Sequence, residues 1–303
     1  MRLLTFRASD GRPHLGVLQG ERVVDISAWL MRETPLIDIG MTELIAMGNA
    51  GLEHIQAALY AAEEDDDTLP LEGLKLLAPI PRPRKNVVCL GRNYAEHAAE
   101  SAGAFGQSIP AEAPAHPAVF TKAVTSVIGP YDDIPFDATV STEIDWESEL
   151  AIVVGRTGKQ IKRGNAFDYI FGYMVLNDIS ARDIQRRHGN QFFMGKSLDG
   201  SCPTGPWIVT ADEIEDPNNL ELYTLVNGVE KQRDNTRAMI WDVPTIIEVV
   251  SLGMTIEPGD IIATGTPAGV GFARKPPEFL KPGDVVECGI EKIGAIRTRV
   301  REI

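Results

Sequence analysis

Three acidic side chains stand beside apolar, strand-like runs of the sequence and have the spacing of a metal site. Glu147 and Glu149 precede the apolar run 151–154, and Asp178 follows the apolar run 173–176. Side chains two residues apart share one face of a β-strand, so Glu147 and Glu149 are predicted to project together. Carboxylates without a nearby His or Cys form an all-oxygen site, which suits Mg²⁺ or Mn²⁺, and also Ca²⁺, better than Zn²⁺. The spacing alone leaves a second interpretation open, a solvated acidic edge of a sheet.

A histidine and a glutamate form the second candidate group. His97 and Glu100 are three residues apart in a segment that is predicted to be helical, about 94–100. On a helix this spacing puts both side chains on one face, within hydrogen-bonding reach. The carboxylate would orient the imidazole and stabilise its protonated form, so that His97 accepts a proton near neutral pH. Taken alone, the same spacing is more often a surface pair.

Two short strings carry groups that could bind an anion. Lys196 lies in Gly195-Lys196-Ser197, but the glycine spacing of a phosphate loop is absent, and a surface lysine is the alternative. The segment 264–271 is rich in glycine, yet it has neither the order of a dinucleotide loop nor a terminal Gly-Lys. It is therefore predicted to be a tight turn.

Composition limits the classes of function. The chain has 303 residues, 44% of them hydrophobic, and a formal net charge of −14, which argues against nucleic acid or an anionic membrane as a partner. No apolar run approaches the length of a membrane span and the first residues do not resemble a signal peptide, so a cytoplasmic location is expected. Three widely separated cysteines fit reduced core thiols. An anionic substrate would need local cations, for which Arg92, Lys122, Arg182 and Lys196 are candidates.

The pattern of elements predicts two domains. Residues 1–78 are expected to form a small N-terminal domain of short strands and two helices, which ends before the stiff, proline-rich connector at 79–84. Residues 79–303 show recurring short β-rich runs, which predict a mostly β domain. The stretch 101–117 is rich in Ala, Gly, Pro and Ser and lacks periodicity, so a lid of about 97–117 is predicted, which would close the dyad over the metal and exclude water.

Several strings occur in a characteristic order along the chain. They are Asn93-Tyr94-x-x-His97-x-x-Glu100, Glu147-x-Glu149-Leu150, Asn177-Asp178-x-Ser180-x-Arg182-Asp183, Gly195-Lys196-Ser197 and Thr264-Gly265-Thr266-Pro267-x-Gly269. This ordered set resembles that of the fumarylacetoacetate hydrolase family. The resemblance covers residues 84–303 almost continuously and is closest to the smaller acylpyruvate hydrolases and 2-hydroxyhepta-2,4-diene-1,7-dioate isomerases.

The resemblance implies an α+β, mostly β fold, a mixed β-sandwich roll with the small α/β N-terminal domain in front, commonly as a homodimer. It implies metal ligands at Glu147, Glu149 and Asp178, and a Mg²⁺ or Mn²⁺ cofactor. It further implies catalytic roles for His97, Glu100 and Lys196, and substrate-binding roles for Arg92, Gln185 and Thr266. A helix-surface glutamine remains the alternative for Gln185. A fourth acidic ligand of the founding hydrolase is replaced here by Leu90, so an open, three-carboxylate site is expected.

The function that the resemblance implies is metal-dependent hydrolysis of a C–C bond in a 2,4-dioxo acid of the acylpyruvate or fumarylpyruvate type. The metal would chelate the 2-oxo acid, His97 would activate water, and Lys196 would stabilise the oxyanion. Two alternatives use the same enolate: decarboxylation of oxaloacetate, and isomerisation or decarboxylation of unsaturated 2-oxo diacids from aromatic degradation. An alternative of another class is a non-catalytic protein that binds 2-oxo acids with a metal.

Overall fold

The computed structural model describes residues 1–33, 39–65, 67–104, 116–189 and 191–303. Strand residues outnumber helical ones, and they form a 12-stranded sheet, a five-stranded sheet and a two-stranded ribbon. The predicted α+β, mostly β class is confirmed. No helix in the described ranges is both long enough and apolar enough to cross a lipid bilayer.

The strands vary from two to nine residues in length, and the longest belong to the second half of the chain. They are β1 (Arg2–Arg7), β2 (Pro13–Gln19), β3 (Arg22–Asp25), β4 (Leu69–Pro70), β5 (Lys75–Leu77), β6 (Val87–Gly91), β7 (Ala118–Lys122), β8 (Val127–Ile128), β9 (Ile134–Phe136), β10 (Ile144–Asp145), β11 (Ser148–Val154), β12 (Ile170–Asn177), β13 (Ser180–Ala181), β14 (Cys202–Thr210), β15 (Glu221–Val226), β16 (Val229–Asn235), β17 (Ile261–Ala263), β18 (Val285–Ile290) and β19 (Gly294–Glu302).

The α-helices are mostly short. They are α1 (Ile26–Glu33), α2 (Met41–Ala46), α3 (Asn49–Asp65), α4 (Ala95–Ala104), α5 (Arg182–Arg187), α6 (Phe193–Lys196) and α7 (Val243–Ser251). Helix α7 shows most clearly how the local sequence starts a helix. The side chain of Asp242 caps its N-terminus by accepting the Thr245 N–H at 3.1 Å. Pro244 occupies the first turn, where its missing N–H costs nothing. Helices α4 and α5 carry two of the predicted site residues, His97 and Gln185.

The large sheet runs in the order β4-β3-β2-β1-β14-β12-β11-β17-β6-β7. Its central strands are buried on both faces: Leu150 and Ile152 of β11 join one hydrophobic cluster, and Ala151 and Val153 join another. A strand covered on both sides needs apolar residues at every position, which explains why the runs 151–154 and 173–176 show no alternation. The acidic residues therefore stand at the ends of the most buried strands.

The N-terminal strands belong to the same sheet as the following part of the chain. Strand β1 pairs with β14 in antiparallel fashion, with Arg2 opposite Val209 and Leu3 opposite Ile208. The hydrogen-bonded sheet thus continues across the predicted boundary at 78/79. Most of the predicted lid, residues 105–115, lies outside the described residues. Its first part, up to Ala104, is helix α4.

One close approach in the large sheet gives a test of this arrangement. A methyl group on Gly172 of β12 would lie 2.2 Å from the carbonyl oxygen of Val209 in β14. We therefore expect Gly172→Ala to lower the free energy of unfolding by about 2 kcal/mol, the usual cost of an overpacked core. Urea denaturation measures this change. Gly164→Ala is the matched control, because a methyl group there meets nothing within 4 Å, and equal stability of the two variants would contradict the packing of β12 against β14.

Candidate metal centre and active site

The three predicted ligand residues come together at the ends of the two central strands. One carboxylate oxygen from each of Glu147, Glu149 and Asp178 can be chosen so that all lie within 4.8 Å of one another, and all three side chains are buried. Strands β11 and β12 bring them together, since Ser148 pairs with Asn177 and the Asp178 N–H donates to the Glu147 carbonyl at 2.8 Å. The alternative of a solvated acidic edge is therefore wrong.

The prediction that Glu147 and Glu149 share one strand face needs a correction. Strand β11 begins at Ser148, so Glu149 lies in the strand and Glu147 lies one residue before it. Glu147 lies outside the strand because its N–H donates to a side-chain oxygen, Oδ1 of Asn177 at 3.0 Å, and not to a backbone carbonyl of β12. The turn into the strand still directs both carboxylates toward Asp178.

Three buried cations surround the carboxylates. Lys196 Nζ lies 2.6 Å from Glu147 Oε2 and 2.6 Å from Asp178 Oδ2. Lys122 Nζ lies 2.8 Å from Asp178 Oδ1, and Arg182 Nη2 lies 2.6 Å from Glu147 Oε1. Lys196 is only 3% exposed, which rules out the alternative of a surface lysine. Lys196 was predicted to face an oxyanion, and the structure puts its ammonium group among the metal-ligand candidates.

Lys122 is the most deeply buried of these cations. Its side chain has no exposed area, and its ammonium group donates to the carbonyls of Ile179 and Lys196 and to the Ser201 hydroxyl. A buried ammonium is costly unless its donors are satisfied and a counter-charge is near, and Lys122 meets both conditions. It thereby connects the segment after β12 with the end of α6, the two segments that carry Asp178 and Lys196.

The pKa values within the trio move in opposite directions. Burial acts to raise the pKa of Glu147, but the positive charges of Lys196 and Arg182 outweigh it and hold that pKa below its ordinary value. Burial, together with the charges of Asp178 and Glu147, raises the pKa of Glu149 well above its ordinary value. Glu149 therefore lacks sufficient positive charge nearby. Three buried carboxylates, one of which lacks a counter-charge, fit a hard divalent cation.

Helix α4 brings the predicted dyad to the same place. His97 Nδ1 is 2.9 Å from Glu100 Oε1, and His97 is 6% exposed. The Glu100 carboxylate also accepts the Gly269 N–H, at 3.1 and 3.0 Å to its two oxygens. Glu100 is therefore fixed from two sides, and it orients the imidazole through Nδ1. Within the described ranges, the other ring nitrogen, Nε2, has no hydrogen-bonding partner, so it is the nitrogen that is available for proton transfer.

The predicted site residues share one cavity of about 320 Å³. Seven of the nine line it, and the other two, Glu100 and Asp178, contact lining residues. The seven are Arg92, His97, Glu147, Glu149, Gln185, Lys196 and Thr266. Leu90, at the position of the missing fourth carboxylate, also lies in the cavity wall and is 1% exposed.

The three predicted substrate-binding residues differ in how free their polar groups are. Gln185 is 7% exposed and accepts Arg182 Nη1 at 3.1 Å, so it is not a helix-surface glutamine. Thr266 donates its hydroxyl hydrogen to the Ser148 carbonyl at 2.9 Å, so an anion would have to use its backbone amide instead. Arg92 is exposed and has a left-handed backbone, with φ of 58°. That strained conformation is typical of functional turns.

Sequence reasoning missed several residues in and around the cavity. Asp145 is completely buried beside Arg182, and Phe120, Phe192 and Phe272 form aromatic parts of the wall. No sequence spacing identifies these residues as part of the site, since their partners lie far away in the chain. Asp145 was visible only as an additional acidic residue two positions before Glu147.

Two family models cover most of the chain. "Fumarylacetoacetate (FAA) hydrolase C-terminal" matches residues 86–301, and "Rv2993c-like, N-terminal" matches residues 1–79. The chain belongs to the fumarylacetoacetate hydrolase family. This membership confirms the family that the ordered strings predicted.

The curated relatives of this family member are similar over nearly the whole chain. It is 40% identical over 291 residues to the oxaloacetate tautomerase YisK of Bacillus subtilis, an alignment that covers 94% of each chain. It is 42% identical over 304 residues to the human mitochondrial oxaloacetate tautomerase FAHD2A, with 99% of this chain and 91% of the relative covered.

A solved structure with a similar fold is maleylpyruvate hydrolase from Sphingobium sp. SYK-6 in complex with a manganese(II) ion and pyruvate. The TM-score is 0.77 at 32% sequence identity, and the match covers 100% of this chain and 99% of the other. The family therefore includes a protein with a hydrolase name and a bound divalent metal, alongside relatives with tautomerase names.

The raised pKa of Glu149 gives a prediction about metal binding. Below that pKa the free protein holds a proton on Glu149, and a bound cation must displace it. Mn²⁺ binding should therefore release a proton, and its affinity should weaken as the pH falls through the raised pKa. Calorimetric titration in two buffers of different ionisation enthalpy measures the proton count. Glu149→Gln should lower the affinity at least about 100-fold, since even residues that only support ligands contribute about 10–100-fold.

The control for Glu149→Gln is Glu230→Gln, which changes a half-exposed glutamate paired with Arg233 on the surface. This variant should bind Mn²⁺ as the wild type does. Equal affinity of Glu149→Gln and the wild type would show that the trio is not the metal site.

Proposed function

We propose that this protein catalyses metal-dependent keto–enol tautomerisation of a 2-oxo dicarboxylic acid, with oxaloacetate as the expected substrate. The observation that carries the proposal is the meeting of three groups in one cavity: the carboxylate trio, the Lys196 ammonium and the His97–Glu100 dyad. The tautomerase names of relatives that are 40% and 42% identical over nearly the whole chain support it.

Glu147, Glu149 and Asp178 would hold a divalent cation, with Mg²⁺ and Mn²⁺ as the ions that suit their oxygen donors. When bound, the cation would supply positive charge to the carboxylate and 2-oxo end of the substrate. The Sphingobium structure was solved in complex with a manganese(II) ion and pyruvate, and it supports a site for a divalent cation and a 2-oxo acid, because pyruvate has the same 2-oxo acid group.

The dyad would move the proton that distinguishes the two tautomers. Tautomerisation of the enol removes the hydrogen from the oxygen on C2 and adds one hydrogen to C3, so an acid–base group must face the plane of the substrate. His97 Nε2 suits this step because Nδ1 is held by Glu100. A neighbouring carboxylate stabilises the imidazolium that forms when the ring carries the proton.

Lys196 would stabilise the negative charge that the substrate carries between the two proton transfers. Its ammonium is buried, and a charged hydrogen bond in a water-poor cavity is stronger than the same bond in water. It already lies 2.6 Å from two ligand carboxylates, so a substrate oxygen near the trio would be within its reach.

The far end of a dicarboxylic acid would need a further cation in the cavity wall. Arg182 and Lys196 already contact the buried carboxylates, whereas Arg92 and Arg186 line the cavity and are more exposed. Arg186 forms an exposed ion pair, from Nη2 to Glu143 Oε2 at 2.6 Å. We propose that Arg92 and Arg186 bind the distal carboxylate, which would favour a diacid over a neutral acylpyruvate.

Hydrolysis of an acylpyruvate is the second candidate, and the fold match to maleylpyruvate hydrolase is the observation that favours it. The same dyad would then activate water for attack on the distal carbonyl, and cleavage of the C–C bond would leave a pyruvate enolate. Both reactions place an enolate next to the trio. They differ in the substrate and in whether water takes part as the nucleophile.

A direct comparison of substrates separates the two candidates. With Mn²⁺, the wild type should interconvert the oxaloacetate tautomers, followed by the ultraviolet absorbance of the enol, and should lose this activity with a chelator. His97→Ala should reduce kcat by about 100-fold or more, as expected for loss of a general acid–base group, while Mn²⁺ still binds. His54→Ala, on helix α3 away from the cavity, is the control. Fast cleavage of acetylpyruvate or fumarylpyruvate without tautomerisation would favour the hydrolase instead.

The distal carboxylate gives a separate prediction. Arg186→Gln should raise KM for oxaloacetate about tenfold, since a hydrogen bond to a charged group contributes about 1.5–3 kcal/mol, and should change kcat much less. Arg187→Gln is the matched control, because Arg187 is the neighbouring exposed arginine, pairs with Asp183 at 3.6 Å and does not line the cavity. An unchanged KM in Arg186→Gln would exclude Arg186 from substrate binding.

A further inference from the structure

A fourth buried carboxylate lies next to the trio without belonging to it. Asp145, at the end of β10, has no exposed area and lies two residues before Glu147. Burying a charge at this depth is expensive unless its hydrogen-bonding capacity is filled. The contacts of Asp145 show which parts of the protein this carboxylate connects.

Both oxygens of Asp145 are fully used. Oδ1 accepts the N–H groups of Gly271 at 2.7 Å and Trp146 at 2.8 Å. Oδ2 accepts Arg182 Nε at 2.9 Å and the Phe272 N–H at 3.1 Å. The carboxylate thus joins a guanidinium group on α5 to two consecutive backbone amides more than 120 residues away in the chain.

The first connection leads to the metal centre. Arg182 holds Asp145 through Nε and Glu147 through Nη2, at 2.6 Å from Glu147 Oε1. A guanidinium group is planar, so fixing Nε fixes the direction of Nη2 as well. The Phe272 ring restricts it further, with its centroid 4.3 Å from the guanidinium carbon. The orientation of the Glu147 carboxylate therefore depends on Asp145.

The second connection leads to the dyad. The amides that bind Asp145 belong to the segment 269–272, and the first amide of this segment, that of Gly269, binds Glu100. Helix α4 packs against the helical turn Gly271–Ala273. Gly271 is itself packed closely against Asp145, because a methyl group at this position would lie 2.7 Å from Asp145 Oδ1 and 2.1 Å from the Glu278 carbonyl oxygen.

We propose that Asp145 is a positioning residue that sets the distance between the metal centre and the His97–Glu100 dyad. Its Oδ2 directs Glu147 through Arg182, and its contacts with the 271–272 amides direct Glu100 through Gly269. This inference rests on the proposed function, since the spacing matters only if the trio and the dyad act on one substrate. A displacement of about 1 Å in such a geometry costs about 100-fold in rate.

The test is Asp145→Asn, in the full-length protein. The amide keeps the size of the carboxylate but replaces one acceptor oxygen by an N–H₂ group, which would face existing donors on whichever side it lies. We expect Mn²⁺ affinity to fall about tenfold, the range for residues that support a metal ligand. With saturating Mn²⁺ we expect kcat for oxaloacetate to fall about 100-fold, with KM changed less than about threefold.

The matched control is Asp260→Asn, which removes another nearly buried carboxylate. Asp260 is 9% exposed, accepts Lys85 Nζ at 2.8 Å and the Glu257 N–H at 2.9 Å, and does not line the cavity. It should lower thermal stability but leave Mn²⁺ affinity and kcat unchanged. Equal losses of Mn²⁺ affinity and kcat in the two variants would show that Asp145 contributes only to general stability, and would overturn the proposal. Wild-type behaviour of Asp145→Asn would overturn it too.

A second variant keeps the proposal testable if Asp145→Asn does not fold. Arg182→Lys keeps the positive charge but loses the planar fork, while the Asp145 contacts to the 271–272 amides can persist. We expect weaker Mn²⁺ binding, while kcat at saturating Mn²⁺ falls by much less than the about 100-fold that a displacement of about 1 Å would cost. Unchanged Mn²⁺ affinity in Arg182→Lys would overturn the first connection, and a fall in kcat of about 100-fold at saturating Mn²⁺ would overturn the second.

The Mn²⁺ titrations need no substrate, so they distinguish this inference from the proposed function. A wild type that binds Mn²⁺ but does not act on oxaloacetate would contradict the proposed function. The affinity difference between Asp145→Asn and Asp260→Asn would still decide whether Asp145 positions the metal centre.

Discussion

The structure depends on how seven buried charges neutralise one another. Four carboxylates face three cations, so the group carries one negative charge in excess when all are ionised. The members are Asp145, Glu147, Glu149, Asp178, Lys122, Arg182 and Lys196, and none is more than 5% exposed. Removing such charges from water is costly, and their mutual contacts only partly offset the cost. This excess of negative charge acts on Glu149, whose pKa is raised by burial and by its acidic neighbours. A divalent cation would reverse the sign of the excess, and an anionic 2-oxo acid would then neutralise it.

A charge cluster of this kind needs a rigid polar frame, and buried amide side chains supply much of it. Gln232 accepts the Ser148 N–H at 3.1 Å and donates to Thr266 Oγ1 at 2.9 Å and to the Pro267 carbonyl at 2.8 Å. It belongs to β16 of the five-stranded sheet, whereas Ser148 belongs to β11 of the large sheet. Asn93 has the same function near the dyad, since it donates to the Thr264 carbonyl at 2.7 Å. The second sheet therefore fixes the strand end from which Glu149 projects.

The sequence predicted the elements and residues whose signals are local. Apolar runs predicted the central strands, and the ordered strings singled out the His97–Glu100 pair and the trio, which spacing alone had left open. Strand β16 was missed, because its polar residues show no alternation and its pairing depends on the turn at Asn227 and Gly228, both with positive φ. The connection through Asp145 was missed for a different reason: its partners at 182 and 271 are brought near only by the completed fold. Local spacing identifies a residue that can do chemistry, but it does not identify the residue that holds it in place.

Under the proposed function, different parts of the cavity would govern the chemistry and the choice of substrate. The trio, Lys196 and the dyad would bind the 2-oxo acid group and stabilise the enolate, which are common to tautomerisation, decarboxylation and hydrolysis. The outer wall combines Arg92 and Arg186 with the edge-to-face pair of Phe120 and Phe192, whose ring centroids are 5.4 Å apart. Charged groups there favour a second carboxylate, whereas the aromatic surface favours an apolar tail. Because the trio and Lys196 are held by buried contacts and the outer arginines are exposed, we expect substitutions in the outer wall to change the substrate without disturbing the charge balance on which the centre depends.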